Sequence, residues 1–374
     1  MKLPLGVISF VPNQVCKLKK SLYGLKQASR QWFAKLSSFL VTLGYIQSHH
    51  DHSLFTKKHG SVFTALLIYV DDLILAGNNL DEISSVKRHL DTQFKIKDLG
   101  VLKYFLGLEV AYSKTGISLC QRKYALDILS DTDFLFSKPV PTPMVKHPHL
   151  HQQDSAAFHD PEFYRQLVGR LLYLTNTRPD LSFVVQQLSQ FMAAPTVNHH
   201  KAITRILRYI KGSPRQGLFY PTSSSLQIKG YSDSDWASCP DTRKSISGFC
   251  MFLGDSLVSW KAKKQNTVCR SSSEAEYRAL VIASCEIQYI KPALLVCDND
   301  SARSIAANAV FHERTKHIEI DCHIVRERLQ NQLFHLLPIS TFDQAADLLT
   351  KALEPSLFSS LLPKLGVLNH YSPA

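Results

Sequence analysis

The chain has 374 residues, which is enough for two or three domains that each bury their own hydrophobic core. Its hydrophobic content of 45% is typical of a globular protein, and no apolar run reaches the roughly 20 residues of a membrane span, so no membrane partner is expected. A net charge of +12 favours a polyanionic partner, nucleic acid above all, with a basic surface kept for solubility as the simpler alternative.

Eight cysteines are scattered along the chain without a Cys-x-x-Cys pair. A disulfide framework or a Cys-rich zinc site is therefore not expected, and a reducing compartment fits best. The first residues also lack the long apolar region of a secretion signal. These features predict an intracellular protein and do not choose between cytoplasm and nucleus.

The first 70 residues are strongly basic, with nine Lys or Arg residues and one acid, Asp51. Apolar residues at helical spacing predict a helix over Leu22–Leu40 with a basic second face. Basic side chains of this kind can contact nucleic-acid phosphates. The candidates in this segment are Lys19, Lys20, Lys26 and Arg30.

The adjacent acids Asp71 and Asp72 interrupt a long apolar stretch. The runs 64–68 and 73–76 on either side predict two short buried strands, which places both charges at the tip of a hairpin. Neighbouring like charges are costly unless solvent or a cation compensates them. The pair is a candidate divalent-metal site, and an ordinary acidic turn explains the spacing equally well.

The middle of the chain changes from mixed to helical patterns. A helix near 81–94 precedes a strand pair at 103–110 and 116–120, and a stretch rich in Pro and His at 137–161 predicts a linker or long surface loop. Helical patterns follow at 162–177, 181–192 and 198–211.

The helix predicted at 198–211 has an apolar stripe and a basic opposite face. Such a face can follow a phosphate backbone, although a solvated face is the more common explanation. Its basic residues, which we list as nucleic-acid-binding candidates, are Lys201, Arg205 and Arg208.

After a boundary near 221–225, four acids are predicted to lie on four separate elements. Asp233 ends a strand, and Asp298 follows the apolar strand 293–297. Glu276 lies on the packed side of a helix that begins with a capping box, and Asp347 lies in a helix expected to begin near Thr341. If these carboxylates converge, they can hold two Mg²⁺ or Mn²⁺ ions for phosphodiester hydrolysis.

Together with these acids, further sequence motifs show that the chain resembles the pol polyprotein of copia-type LTR retrotransposons over nearly its whole length. The stretches that carry the resemblance are Val15–Gln27, Tyr69-Val70-Asp71-Asp72, Lys97–Gly100, Tyr104–Gly107, Tyr173–Asp180, Asp233-Ser234-Asp235-Trp236-Ala237, Ser272–Tyr277, Cys297–Asn299, Arg314–Ile318 and Ala346–Lys351. Their number and order make chance similarity implausible.

The resemblance implies an α/β fold class, with an α+β palm and an RNase H-like mixed sheet with helices. The implied regions are a reverse-transcriptase palm remnant at 1–110, a thumb or connection at 111–222, an RNase H-like domain at 226–352 and a C-terminal tail at 353–374. It assigns Asp71 and Asp72 to a polymerase metal site. It assigns the four later acids to an RNase H site, with Asp235 as the main rival to Asp233 and Glu319 as a weaker rival to Asp347.

The chain departs from the family pattern in two places. No counterpart of the family's upstream metal-binding aspartate precedes the hairpin, and Asp51 matches a different position. The chain therefore resembles an N-terminally truncated member, and we expect little or no polymerase activity from it alone. The connection from Glu286 to Asp298 is also short for the family.

The leading functional prediction is a retrotransposon-derived protein that binds RNA–DNA hybrid and cleaves its RNA strand with Mg²⁺. Association with an intact retrotransposon polyprotein is a further candidate. The alternatives are a catalytically inactive nucleic-acid-binding remnant and a pseudogene-like product that does not fold stably. Core packing is expected for three aromatic residues that could instead stack on bases, Tyr23, Trp32 and Trp236.

Overall fold

A computed structural model describes residues 14–17, 22, 24–147, 150–287, 293–307 and 318–369. The chain has the expected α/β fold class and divides into two compact units, Met1–Leu102 and Lys103–Ala374. The first unit ends before the expected palm boundary at 110. The reason is that the strand Leu108–Tyr112 pairs with Gly116–Cys120, so both belong to a sheet of the second unit.

In the first unit, helices pack on a four-stranded antiparallel sheet through a shared apolar core. Its elements are α1 (Ala28–Thr42), β1 (Ile46–Gln47), β2 (Leu54–His59), β3 (Val62–Tyr69), β4 (Asp72–Gly77) and α2 (Leu80–Phe94). The helix predicted from Leu22 begins only at Ala28, and the left-handed backbone of Gly24, with φ of 84°, excludes that residue from it. Asn79 caps α2 by accepting a hydrogen bond from the Glu82 backbone N–H.

The described part of the second unit contains two five-stranded sheets. The strands of the first, in spatial order, are β14 (Val367–Leu368), β8 (Gly217–Pro221), β7 (Gly116–Cys120), β6 (Leu108–Tyr112) and β5 (Tyr104–Phe105), with antiparallel neighbours. The strands of the second are β11 (Ser256–Lys264), β10 (Ile246–Leu253), β9 (Ile228–Ser234), β12 (Ala293–Cys297) and β13 (Phe334–Pro338). This second sheet is mixed, because β9 is antiparallel to β10 and parallel to β12.

Both faces of the mixed sheet are covered by apolar side chains. The helices of the unit are α3 (Arg122–Asp131), α4 (Pro161–Leu174), α5 (Ser182–Ser189), α6 (Val197–Gly212), α7 (Ser272–Glu286), α8 (Asp300–Ala307), α9 (Glu319–Gln330) and α10 (Pro355–Lys364). One core joins α7, α8 and α9 to the sheet, and the other includes residues of α3 to α6 and α10. None of the described helices is both long and apolar enough to cross a membrane.

Two regions differ from the sequence expectations. The region expected to form a tail is 353–374, but its described part, 353–369, supplies α10 and β14, with Phe358, Leu361 and Val367 buried in the core. The helix expected from Thr341 is a pair of short 3-10 turns, Thr341–Asp343 and Ala345–Leu349. Gln344 separates the turns because its backbone is extended, with φ of −71° and ψ of 94°.

Candidate active site

The central strand β9 and its parallel neighbour β12 position two of the four acids. Asp233 is fully buried in β9, and Asp298 directly follows β12. These strands are parallel, with Tyr231 opposite Val296, so each acid lies two residues beyond the same paired position. Parallel strands end at one edge of a sheet, and this register brings the two carboxylates to that edge.

Helix α7 supplies Glu276, and its neighbouring glutamate has a separate structural role. The Ser271 hydroxyl accepts the Glu274 backbone N–H at 3.2 Å, which caps the helix. The Glu274 carboxylate accepts from the Arg270 backbone at 2.7 Å and from the Arg278 guanidinium at 3.1 Å. Glu276 is only 7% exposed, and its Oε2 has no hydrogen-bond partner among the described residues.

Glu276 and Asp298 form a compact oxygen-rich group with the thiol of Cys297. Their candidate ligand atoms lie within 4.8 Å of one another. Burial raises the pKa of Cys297 to about 12, so it remains a thiol at neutral pH and leaves the two carboxylates as ligands for a hard cation. The Thr341 hydroxyl, at 3.2 Å, and the Gln344 amide, at 3.4 Å, donate to Asp298 and orient it.

Asp347 reaches the group from the 3-10 turn Ala345–Leu349 and is joined to it by a lysine. The Lys351 ammonium lies 2.8 Å from Asp347 Oδ1 and 3.2 Å from Asp233 Oδ1. The Thr350 hydroxyl donates to Asp233 Oδ2. Both residues belong to the family motif Ala346–Lys351, but no pattern in the sequence predicted either of them as part of the site.

The four predicted acids therefore converge, and their mutual repulsion is evident in the pKa values. Burial raises the pKa of Glu276 to about 10, and the negative charges of Asp233 and Asp298 add to the effect. Burial raises the pKa of Asp347 to about 7, with Asp233 adding and Lys351 opposing. Carboxylates held together at this cost form a site that a cation would stabilise.

The two rival acids have other surroundings. Asp235 accepts the Ile246 backbone N–H at 2.6 Å and the Ser238 hydroxyl, which holds the loop between β9 and β10. Burial raises its pKa to about 6. Glu319 is exposed at the start of α9. Neither rival pairs with Lys351, whose ammonium joins Asp233 to Asp347 among the described residues.

The hairpin acids of the first unit have the predicted placement. Strands β3 and β4 pair with Tyr69 opposite Asp72, leaving Val70 and Asp71 as a two-residue turn. Both aspartates are exposed, and within the described residues no metal-binding group of three or more ligands includes them. Val70 has a left-handed φ of 48°, which costs a β-branched residue about 1–3 kcal/mol.

The candidate basic residues fall into three groups. Lys26, Arg30 and Lys201 are exposed, whereas Lys19 and Lys20 lie outside the described residues. Arg205 donates to the Thr142 hydroxyl at 2.9 Å and Arg208 to the Lys138 carbonyl at 2.7 Å. Both arginines of α6 therefore hold the Pro- and His-rich segment in place.

Of the three aromatic candidates, one differs from the expectation of core packing. Trp236 follows β9 and is 54% exposed, and its indole N–H donates to the Cys269 carbonyl at 3.1 Å. The strained turn at Ala237, with φ of 52°, follows it directly. Trp32 packs half-buried against the core of the first unit, and Tyr23 lies outside the described residues.

A mixed sheet with an aspartate on its central strand, joined by acids from a helix, a strand end and a turn, defines an RNase H-like domain. A family model described as reverse transcriptase (RNA-dependent DNA polymerase) matches residues 1–146. The chain is 43% identical to the retrovirus-related Pol polyprotein from transposon RE1 of Arabidopsis thaliana, over 95% of this chain and 25% of that protein. It is 31% identical to a putative transposon Ty5-1 protein of Saccharomyces cerevisiae, over 71% of this chain and 87% of that protein.

The chain belongs to the copia-type retrotransposon Pol family and corresponds to a portion of such a polyprotein that includes the reverse-transcriptase match. It spans about a quarter of the length of the first curated relatives it matches. Among solved structures it is similar to RNase H1 from Halobacterium salinarum, with 19% identity and a TM-score of 0.25 over 33% of this chain and 94% of that chain. The family assignment rests on the sequence relatives.

Proposed function

We propose that the second unit hydrolyses the RNA strand of an RNA–DNA hybrid with divalent cations. The observation that carries this proposal is the convergence of Asp233, Glu276, Asp298 and Asp347 from four separate elements onto one group, in which Asp298 is half-buried and the other three are buried. The buried Oε2 of Glu276, which has no hydrogen-bond partner in the part of the chain that the structure describes, is an oxygen of the kind that a cation satisfies. The donor set is made of carboxylate oxygens, which suits Mg²⁺ or Mn²⁺.

The residues around the acids fix their orientation before substrate arrives. Thr350 holds one oxygen of Asp233, and Thr341 and Gln344 hold both oxygens of Asp298. When bound, the divalent cations supply a Lewis acid that activates the attacking water and stabilises the leaving oxygen. The oriented carboxylates keep this chemistry at one edge of the sheet, where a phosphodiester can reach it.

The partner is proposed to be nucleic acid with a hybrid segment. The exposed ring of Trp236, which follows the strand that carries Asp233, provides a stacking surface, and Lys201 is an exposed cation for phosphate contact. In the first unit, exposed Lys26 and Arg30 offer the same chemistry. We do not assign polymerase activity to the chain alone, because no described third ligand joins the hairpin acids.

A second candidate function is hybrid binding without turnover. The observation in its favour is the Lys351 ammonium, which already neutralises part of the charge of Asp233 and Asp347. Such a protein would bind hybrid in a salt-dependent manner and release no RNA product. The two functions therefore differ in a single measurement, cleavage of bound RNA.

The test incubates the purified full chain with Mg²⁺ and a hybrid labelled on its RNA strand. Asp233→Asn should reduce the cleavage rate by more than about 100-fold, because it removes a direct metal ligand. Asp235→Asn is the matched control, since it makes the same chemical change two residues away and should leave most activity. Equal cleavage by wild type and Asp233→Asn would reject the assignment, and binding without cleavage by wild type would select the second function.

A further inference from the structure

The four converging acids, Asp233, Glu276, Asp298 and Asp347, form an acid group that divides into two halves. The two halves differ in how their negative charge is balanced. On one side, Glu276 and Asp298 approach each other, and Glu276 Oε2 is buried with no hydrogen-bond partner among the described residues. On the other side, Asp233 and Asp347 share the ammonium of Lys351, at 3.2 and 2.8 Å. One half has a protein cation between its carboxylates, and the other has a buried oxygen to which no described residue donates.

The position of Lys351 follows from the local chain. It lies four residues after Asp347, and the intervening Thr350 anchors the same segment by donating to Asp233 Oδ2. Gly248 lies under this segment, and a Cβ there would come within 2.7 Å of the Thr350 methyl group. The backbone is thus packed closely on the sheet, while the lysine side chain is 34% exposed and has a route to solvent.

We propose that Lys351 occupies one of the two cation positions of this site, so that a first divalent cation binds beside Glu276 and Asp298 and a second binds only by displacing the lysine. This inference rests on the proposed function, because it assumes that the four acids are metal ligands. An ammonium and a divalent cation cannot share the same carboxylate oxygens without strong repulsion. The lysine therefore holds Asp233 and Asp347 in place and raises the concentration needed for the second ion.

Metal binding to the full chain tests this directly, without hybrid and without turnover. The chain is stripped with a chelator, and Mn²⁺ is titrated while free Mn²⁺ is followed by electron paramagnetic resonance. Wild type should bind one ion tightly and a second weakly. Lys351→Met should bind the second ion about 10- to 100-fold more tightly, the range by which neighbours of metal ligands alter affinity. Lys351→Arg, which keeps the positive charge, should behave like wild type.

Lys364→Met is the matched control, because Lys364 forms an exposed ion pair with Asp343 at 2.5 Å. It should leave both Mn²⁺ affinities unchanged. The melting temperature supplies a second readout if Lys351→Met expresses poorly. Without metal this variant should melt below wild type, and saturating Mn²⁺ should raise its melting temperature by more than it raises that of wild type.

Equal Mn²⁺ affinities and equal metal-induced stabilisation in wild type and Lys351→Met would overturn the proposal. Failure of the proposed function is distinguishable, because absence of RNA cleavage would leave the Mn²⁺ stoichiometry unaltered. Loss of both Mn²⁺ sites in Lys351→Met would also refute the proposal, since it would show that the lysine only supports the fold. Lys351→Arg provides the comparison for such a loss. If arginine restores both Mn²⁺ sites, the loss in Lys351→Met is due to the missing positive charge and not to general misfolding.

Discussion

Replacing Glu276 by glutamine should stabilise the protein in the absence of divalent metal. The pKa of this glutamate is raised from 4.5 to about 10. The folded protein therefore retains a proton between these pH values, whereas the unfolded chain releases it. Rising pH consequently favours the unfolded state throughout this window, and glutamine, which has no proton to lose, removes the penalty.

The size of the effect depends on pH in a defined way. Each pH unit between the unfolded pKa and the working pH contributes about 1.4 kcal/mol. At pH 7, which lies between 4.5 and about 10, the penalty is about 3 kcal/mol, and Glu276→Gln should recover most of it. At pH 4 both states of wild type carry the proton, so the two proteins should have nearly equal free energies of unfolding.

Urea unfolding in chelator measures this difference. The chain has three tryptophans, so Trp32→Phe leaves Trp236 and Trp260 to report the second unit alone. In that background, Glu274→Gln is the matched control on the same helix. Glu274 is paired with Arg278 and accepts a backbone N–H, so its neutral form should cost about 1–3 kcal/mol.

The same substitution should therefore change the free energy of unfolding in opposite directions, raising it at Glu276 and lowering it at Glu274. A Glu276→Gln protein no more stable than wild type at pH 7, or a gain that does not shrink toward pH 4, would refute the reasoning. Saturating Mg²⁺ provides a further check, because it should stabilise wild type and cancel the advantage of glutamine.

Three other substitutions test separate parts of the structure. Arg178→Met should lower the free energy of unfolding by about 3–5 kcal/mol in urea, because it leaves Asp180 buried without its ion pair at 2.8 Å. Val70→Gly should raise the melting temperature of the first unit slightly, since glycine accepts the left-handed φ of 48° without strain. Trp236→Ala should weaken hybrid binding in a filter assay by about 1–3 kcal/mol while leaving Mn²⁺ affinity unchanged, because its exposed ring has no role as a ligand.

Local patterns predicted the elements that carry the acids. The apolar runs beside Asp71 gave the β3–β4 hairpin, and the Ser271 cap gave the start of α7. These signals depend on residues within one turn or one strand, so they can be read along the chain. The sequence also placed Asp298 directly after β12, and the structure shows this placement despite the short connection that precedes it.

Features fixed by distant contacts were not predictable. The spacing of Thr341 and Gln344 indicated a helix, but the Gln344 amide instead donates to the Ser232 carbonyl, 112 residues away in sequence, at 3.0 Å. The convergence of Lys351 with Asp233 depends on a contact between residues 118 apart. Sequence periodicity carries no information about contacts of this range, so the ammonium of Lys351 could be recognised as part of the site only in the folded chain.

The energetics of the acid group explain why these distant contacts are needed. Glu276 and Asp347 each oppose folding at neutral pH, because burial and neighbouring charges disfavour their ionised forms. Lys351 offsets part of that cost at Asp347 through a charge-assisted hydrogen bond, and Thr350 and Gln344 donate to the neighbouring carboxylates of Asp233 and Asp298. A cation bound beside Glu276 would remove more of it. The stability of the second unit and its affinity for divalent metal should therefore rise and fall together when residues of this group are changed.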